Sequence, residues 1–240
     1  MNILTKKSQS YFAEFLCTSI FGYCVYSAVA SSKIDSYLSS AAVGLTVGFS
    51  GIVLIYTFVD LTVAHFNPAI TLAAICFNKL DVIDGLIYIL MQVLGFIFAA
   101  LLIILSFPEN DENVLNYIQT LRVSKEVNTL NLFVVEAILT FILVFVAFSV
   151  AINSKRDSDK SLYGDEELPD RSIVAPLTIG LTLAFLAFVA PTTSGGLFNP
   201  GLAFAPSILI GDFEDVYVYI IAEFLGGIIG GFLQVFVFYK

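Results

Sequence analysis

The 240-residue sequence predicts an all-α membrane protein with six transmembrane helices and two re-entrant half-helices, built as an inverted 3+3 repeat in one domain (residues 1–240). Three observations carry this. First, 58% of the residues are hydrophobic, 13% are charged and the mean hydropathy is +0.91. A soluble domain needs no such apolar excess, and runs of about 18 or more apolar residues mark membrane spans. Second, two Asn-Pro pairs, in Ala64–Thr71 (AHFNPAIT) and Gly195–Pro206 (GGLFNPGLAFAP), interrupt nearly continuous hydrocarbon. Third, the halves 11–107 and 131–239 repeat their polar residues at a nearly fixed offset.

Taken in order, Met1–Ser10 is a polar lead with Lys6 and Lys7. Tyr11–Ala30 is the first span. Its Ala28-Val29-Ala30 has the small-x-small form of a signal cleavage site, but Glu14 and a matching span later in the chain favour a retained helix. Lys33–Ser36 is a short outer loop, and Ser40–Val59 is the second span, with Gly44, Gly48 and Gly51 along it. After the first half-helix and a turn at Asn78–Asp84 comes the third span, Gly85–Phe107, carrying Gln92. Pro108–Leu130 reads as a polar loop. Asn131–Ile152 is the fourth span, carrying Glu136, and Ile173–Ala190 is the fifth. Between them the stretch 153–172 is the most charged and reads as a solvated cytoplasmic loop; Ser154, Ser158 and Ser161 are its candidate modification sites. Val216–Tyr239 is the sixth span, with Glu223 and the glycines Gly226, Gly227, Gly230 and Gly231. Those glycines predict close helix packing, within one chain or between chains.

Proline lacks a backbone donor and is best tolerated in a helix's first turn. Asparagine is a preferred N-cap. Asn67-Pro68 and Asn199-Pro200 therefore read as helix starts, each leading a run too short to cross a hydrocarbon core of about 30 Å. Asn67 and Asn199 lie 132 residues apart, as do Gly48 and Gly180. Glu14-x-x-x-Thr18 recurs as Glu136-x-x-x-Thr140, and Gln92-x-x-Gly95 as Glu223-x-x-Gly226. Three spans per half is odd, so the halves insert in opposite senses. In such repeats the site lies near the midplane, where interrupted helices meet. Lys6, Lys7, Lys79, Lys155, Arg156, Lys160, Arg171 and Lys240 fall on one side, against Lys33, Arg122 and Lys125 on the other. The positive-inside rule then makes both termini cytoplasmic.

Two helix amino ends converging on one point bring about half an elementary positive charge each. With the amides of Asn67 and Asn199 they would hold the oxygen of water or a hydroxyl and repel cations. Glu14 and Glu136 are costly inside a membrane. Their symmetric placement points to a structural role, as acceptors for the unpaired backbone amides of each re-entrant loop, over proton relay. Glu223 reads as a structural residue near a helix end. His65, two residues before Asn67, is a candidate gate or an ordinary loop histidine. Cys17, Cys24 and Cys76 all lie in apolar segments and read as small core residues, with no metal set among them. No basic patch offers itself to nucleic acid, and no cofactor motif is present.

On these residues the chain resembles the major intrinsic protein family of aquaporins and aquaglyceroporins. The resemblance covers nearly the whole chain and rests on AHFNPAIT, the paired Asn-Pro, the doubled Glu-x-x-x-Thr and APLTIGL (Ala175–Leu181). It implies a passive channel for water or small uncharged solutes such as glycerol or urea, no enzyme activity, and a homotetramer in a lipid bilayer with one pore per subunit. The pore centre would be Asn67, Pro68 and Ala69 with Asn199, Pro200 and Gly201. The resemblance places the outer constriction at Val47, Ala187, Gly196 and Leu202. The family's Arg is Leu202 here, and the Asp that glycerol channels carry next is Ala203. A wide apolar mouth follows. The alternative is a low-conductance structural or junction protein on the same scaffold. Intramembrane catalysis would need acidic, Ser-His or metal constellations that the spans lack.

Overall fold

The computed structural model describes residues 3–34, 40–107, 114–118, 126–153 and 171–238. Among the described residues, six helices are long and apolar enough to cross a membrane. They are built from α1 (Ile3–Ile34), α2 (Ser40–Phe58), α4 (Val82–Ser106), α6 (Thr129–Ala147), α7 (Ala175–Val189) and α9 (Val216–Phe232). α6 and α9 run on into π-helical turns at Phe148–Ile152 and Leu233–Phe238, and a 3-10 turn, Arg171–Val174, leads into α7. The two Asn-Pro half-helices are α3 (Pro68–Cys76, nine residues) and α8 (Pro200–Ile210, eleven residues). Large side chains such as Phe12, Ile83 and Leu105 face outward, as a lipid-facing surface demands.

Small residues let the backbones approach where the hydrophobic effect cannot draw helices together. The repeat-related glycines Gly48 and Gly180 meet each other. A Cβ on either would lie 2.8 Å from the other's carbonyl oxygen, so α2 and α7 cross almost backbone to backbone. Gly95 of α4 sits against the Phe15 carbonyl of α1, and Gly226 of α9 occupies the equivalent place against the Ala137 carbonyl of α6. Gly230 repeats the contact one turn on, at the Phe141 carbonyl. Gly227 and Gly231, on the neighbouring stripe, meet Ala69 and Phe77 of the first re-entrant segment. Both glycine stripes of the sixth span are therefore used within one chain.

Several boundaries differ from the sequence expectations. The first helix begins at Ile3 and takes in most of the polar lead. Lys7 Nζ lies 2.7 Å from both carboxylate oxygens of Asp84, Tyr11 donates to Asp84 at 2.6 Å, and the Ser10 and Tyr88 hydroxyls are 2.6 Å apart. These bonds tie the extra turns to the start of α4. Pro108–Leu130 is not loop throughout: it holds a short helix, α5 (Val114–Ile118), with Leu115 and Ile118 buried, and α6 already begins at Thr129. Cys17 is buried and Cys24 half-buried, but Cys76 is exposed, because it ends α3 beyond the buried Ala73 and Ala74. Glu223 is not near a helix end: it sits in mid-α9, fully buried. Of the charged loop, residues 154–170, with Ser154, Ser158 and Ser161, lie outside the described residues.

Candidate pore centre

Asn67 and Asn199 cap α3 and α8. Each side-chain oxygen accepts from the second residue on, Asn67 Oδ1 from the Ala69 N–H at 2.8 Å and Asn199 Oδ1 from the Gly201 N–H at 3.1 Å. The amide nitrogens cross between the halves. Asn67 Nδ2 donates to the Phe198 carbonyl, and Asn199 Nδ2 to the Phe66 carbonyl, both at 2.9 Å. Each cap thus holds the chain that enters the other helix. A carboxamide carries two N–H donors, so one on each Asn lies beyond this exchange.

Such loops carry orphan backbone donors at membrane depth, where each costs several kcal/mol if unpaired. The backbone turns sharply to present them: Phe66 has φ 33° and Phe198 φ 39°, the left-handed region that non-glycine residues seldom enter. Strain of this kind costs about 1–3 kcal/mol per residue and persists only where surroundings enforce it. Here buried carboxylates do so. Glu14 Oε1 accepts from the Phe66 N–H at 2.7 Å and from Gln92 Nε2 at 2.8 Å, and Oε2 from Thr62 Oγ1 at 2.8 Å. Gln92 Nε2 also reaches Thr71 Oγ1, which bonds the Asn67 carbonyl. In the second half Glu136 accepts from the Leu197 and Phe198 N–H groups at 3.1 and 2.7 Å, and Glu223 Oε1 from the Asn199 N–H at 2.9 Å. Tyr219 Oη donates to the Ser194 carbonyl at 2.6 Å, bracing the loop from α9. The Thr18 and Thr140 hydroxyls have no hydrogen-bond partner among the described residues; Thr18 packs its Cβ against Gly95 instead.

A cavity of about 500 Å³ runs up to this crossing. Both Asn67 and Asn199 line it, with Ile55, Ile70, Ile179 and Leu183 on its apolar wall. His65 is also on the wall, its Nδ1 3.1 Å from Thr71 Oγ1. Of the four positions expected from the sequence to form the outer constriction, Gly196 (φ 67°) and Ala187 stand together: a Cβ on Gly196 would lie 3.9 Å from the Ala187 Cα. Val47 on α2 and Leu202 in the first turn of α8 are both buried. Tyr26 of α1 donates to the Leu202 carbonyl at 3.2 Å.

Sequence reasoning missed the residue that explains Gly201. A Cβ there would run into the ring of Phe96, a fully buried side chain of α4 that also fills the space beside Gly22. Alanine would gain up to about 1 kcal/mol in helix propensity, but overpacking a closed site costs about 1–3 kcal/mol. The clash wins. Gly201→Ala is expected to lower both the melting temperature and solute permeability, and Gly201→Ala with Phe96→Leu to restore them. A single variant as stable and permeable as the parent would contradict this.

Six crossing helices, two half-helices capped by crossed asparagines and a cavity lined by both define a multi-pass membrane protein with a polar centre inside the bundle. The chain belongs to the major intrinsic protein family, whose model matches residues 3–234. It is 52% identical over 242 residues to the aquaporin of Enterocytozoon bieneusi, covering 100% of both chains. It is 47% identical to the aquaporin of Encephalitozoon hellem, covering 98% of this chain and 96% of that one. Against aquaporin-B of Dictyostelium discoideum the identity is 35%, over 93% of this chain and 81% of that protein. The aquaglyceroporin structure from Plasmodium falciparum shares the fold, with a TM-score of 0.75 at 20% identity over 96% of this chain and 97% of that one.

Proposed function

We propose that this chain is a passive channel for water and small uncharged solutes such as glycerol or urea. Ions and protons are turned back where Asn67 and Asn199 cross. One observation carries this reading: both asparagines line the cavity at the joined amino ends of α3 and α8. The spare N–H of each Asn, together with the two helix dipoles, suits the oxygen of a neutral solute and opposes a cation. Family membership points the same way and away from enzyme activity.

The outer constriction of this reading is Val47, Ala187, Gly196 and Leu202. None carries a charge or a ring, so the mouth excludes solutes by size less strictly than an Arg-bearing one. His65 serves as cavity wall, held by Thr71, rather than as a gate. The assembly is a homotetramer in the bilayer with both termini cytoplasmic. Stopped-flow light scattering of proteoliposomes under sucrose, urea and glycerol gradients tests the function. The expected result is fast shrinkage in sucrose and rapid re-swelling in urea and glycerol. Rates equal to empty liposomes for every solute would overturn the channel reading in favour of a structural role.

A further inference from the structure

The two halves hold their loops with different chemistry. In the first, Glu14 is partnered by the neutral amide of Gln92. In the second, the matching position is Glu223, so two carboxyl groups face one loop. Glu136 takes the N–H groups of Leu197 and Phe198, and Glu223 takes that of Asn199, the very next residue. Three consecutive amides bring the two carboxyls together, and the approach of Gly226 to the Ala137 carbonyl holds α9 and α6 close enough for them to touch. Both side chains are fully buried. Glu223 Oε2 has no donor directed at it.

We infer that Glu136 and Glu223 share one proton, carried on Glu223 Oε2 and donated to the Glu136 carboxylate, and that this acid pair positions the loop bearing Gly196 and Asn199. Two carboxylates in contact cannot both ionise, and the pair titrates as a unit. With the proton in place every polar atom of the pair is satisfied: Glu223 Oε1 accepts, Oε2–H donates, and both Glu136 oxygens accept. Without it, like charges meet in a site with no cation among the described residues of the helices packed on it. The helices packed most closely on α9 bring no counter-charge: α6 offers Glu136 alone, α3 only Cys76, and α8 no titratable side chain. On α9 itself, Tyr219 commits its hydroxyl to Ser194, and Tyr217 is exposed. The consequence rests on the channel reading above: the second loop responds to pH through this pair.

The test pairs a spectrum with a flux measurement, using wild type and Glu223→Gln. A Gln amide would donate to Glu136 and still accept from Asn199, as Gln92 donates to Glu14. Infrared spectroscopy of the reconstituted wild type should show a protonated-carboxyl C=O stretch that vanishes as pH rises and is missing from Glu223→Gln. Wild-type permeability should fall several-fold over the same pH interval, while Glu223→Gln stays at the low-pH rate throughout. A wild type with no titrating carboxyl band, or the same pH profile in both proteins, overturns the inference. Where Glu223→Gln fails to assemble, Glu14→Gln decides it: the band should persist there, and its loss would assign it to Glu14 and overturn the inference. A titrating band without any flux would contradict the channel and leave the acid pair standing.

Discussion

Replacing Glu136 by alanine is expected to abolish solute permeability and to cost about 2–6 kcal/mol of stability. The figure follows from two buried N–H groups, at Leu197 and Phe198, losing their acceptor at about 1–3 kcal/mol each. Against a total stability of about 5–15 kcal/mol, that is a large share. The loss also removes what enforces the left-handed turn at Phe198, so the Phe198 carbonyl no longer meets Asn67 Nδ2. The break then passes from the second loop to the first. Glu136→Gln keeps one acceptor oxygen and should lose less. Thermal unfolding in detergent, together with stopped-flow flux, checks the order: wild type, then Gln, then Ala. An alanine variant with parental flux would show that the loop stands without its carboxylate.

The second large effect is on selectivity. Leu202→Arg would place a guanidinium in the first turn of α8, at the position proposed above as part of an apolar outer constriction. Leu202 and Val47 are both buried, so the longer side chain fills space there rather than adding a free surface charge. Glycerol flux is expected to drop about tenfold, equivalent to about 1.4 kcal/mol, while water flux changes little. Parallel sucrose and glycerol gradients on the same vesicles separate the two. Equal losses for water and glycerol would mean that the variant blocks the passage rather than narrowing it.

Much of this architecture is written locally. Asn-Pro marks a helix start because proline supplies no donor and asparagine supplies an acceptor, and both caps are made by residues two positions apart. The repeat offset also pairs Gly48 with Gly180, the two glycines that meet where α2 and α7 cross. What the sequence could not disclose is tertiary. The extra turns of α1 depend on Asp84 in another helix. The short helix α5 lies in a polar stretch whose Leu115 and Ile118 find burial only in the folded chain. Gly201 is explained by Phe96, a residue 105 positions earlier in the chain. What Glu223 holds is hidden from the sequence, because nothing near it there needs an acceptor. Its donor, the Asn199 N–H, comes from a loop that only the fold brings there.

The central claim is that the crossed asparagines pass neutral solutes and refuse charge. It is tested most directly by measuring both on one preparation: water and urea flux by light scattering, and proton flux by a trapped pH dye under a potassium diffusion potential. The account predicts water and urea rates far above those of empty liposomes, with proton leak no higher than theirs. Proton flux that rises with protein content alongside water flux would contradict it.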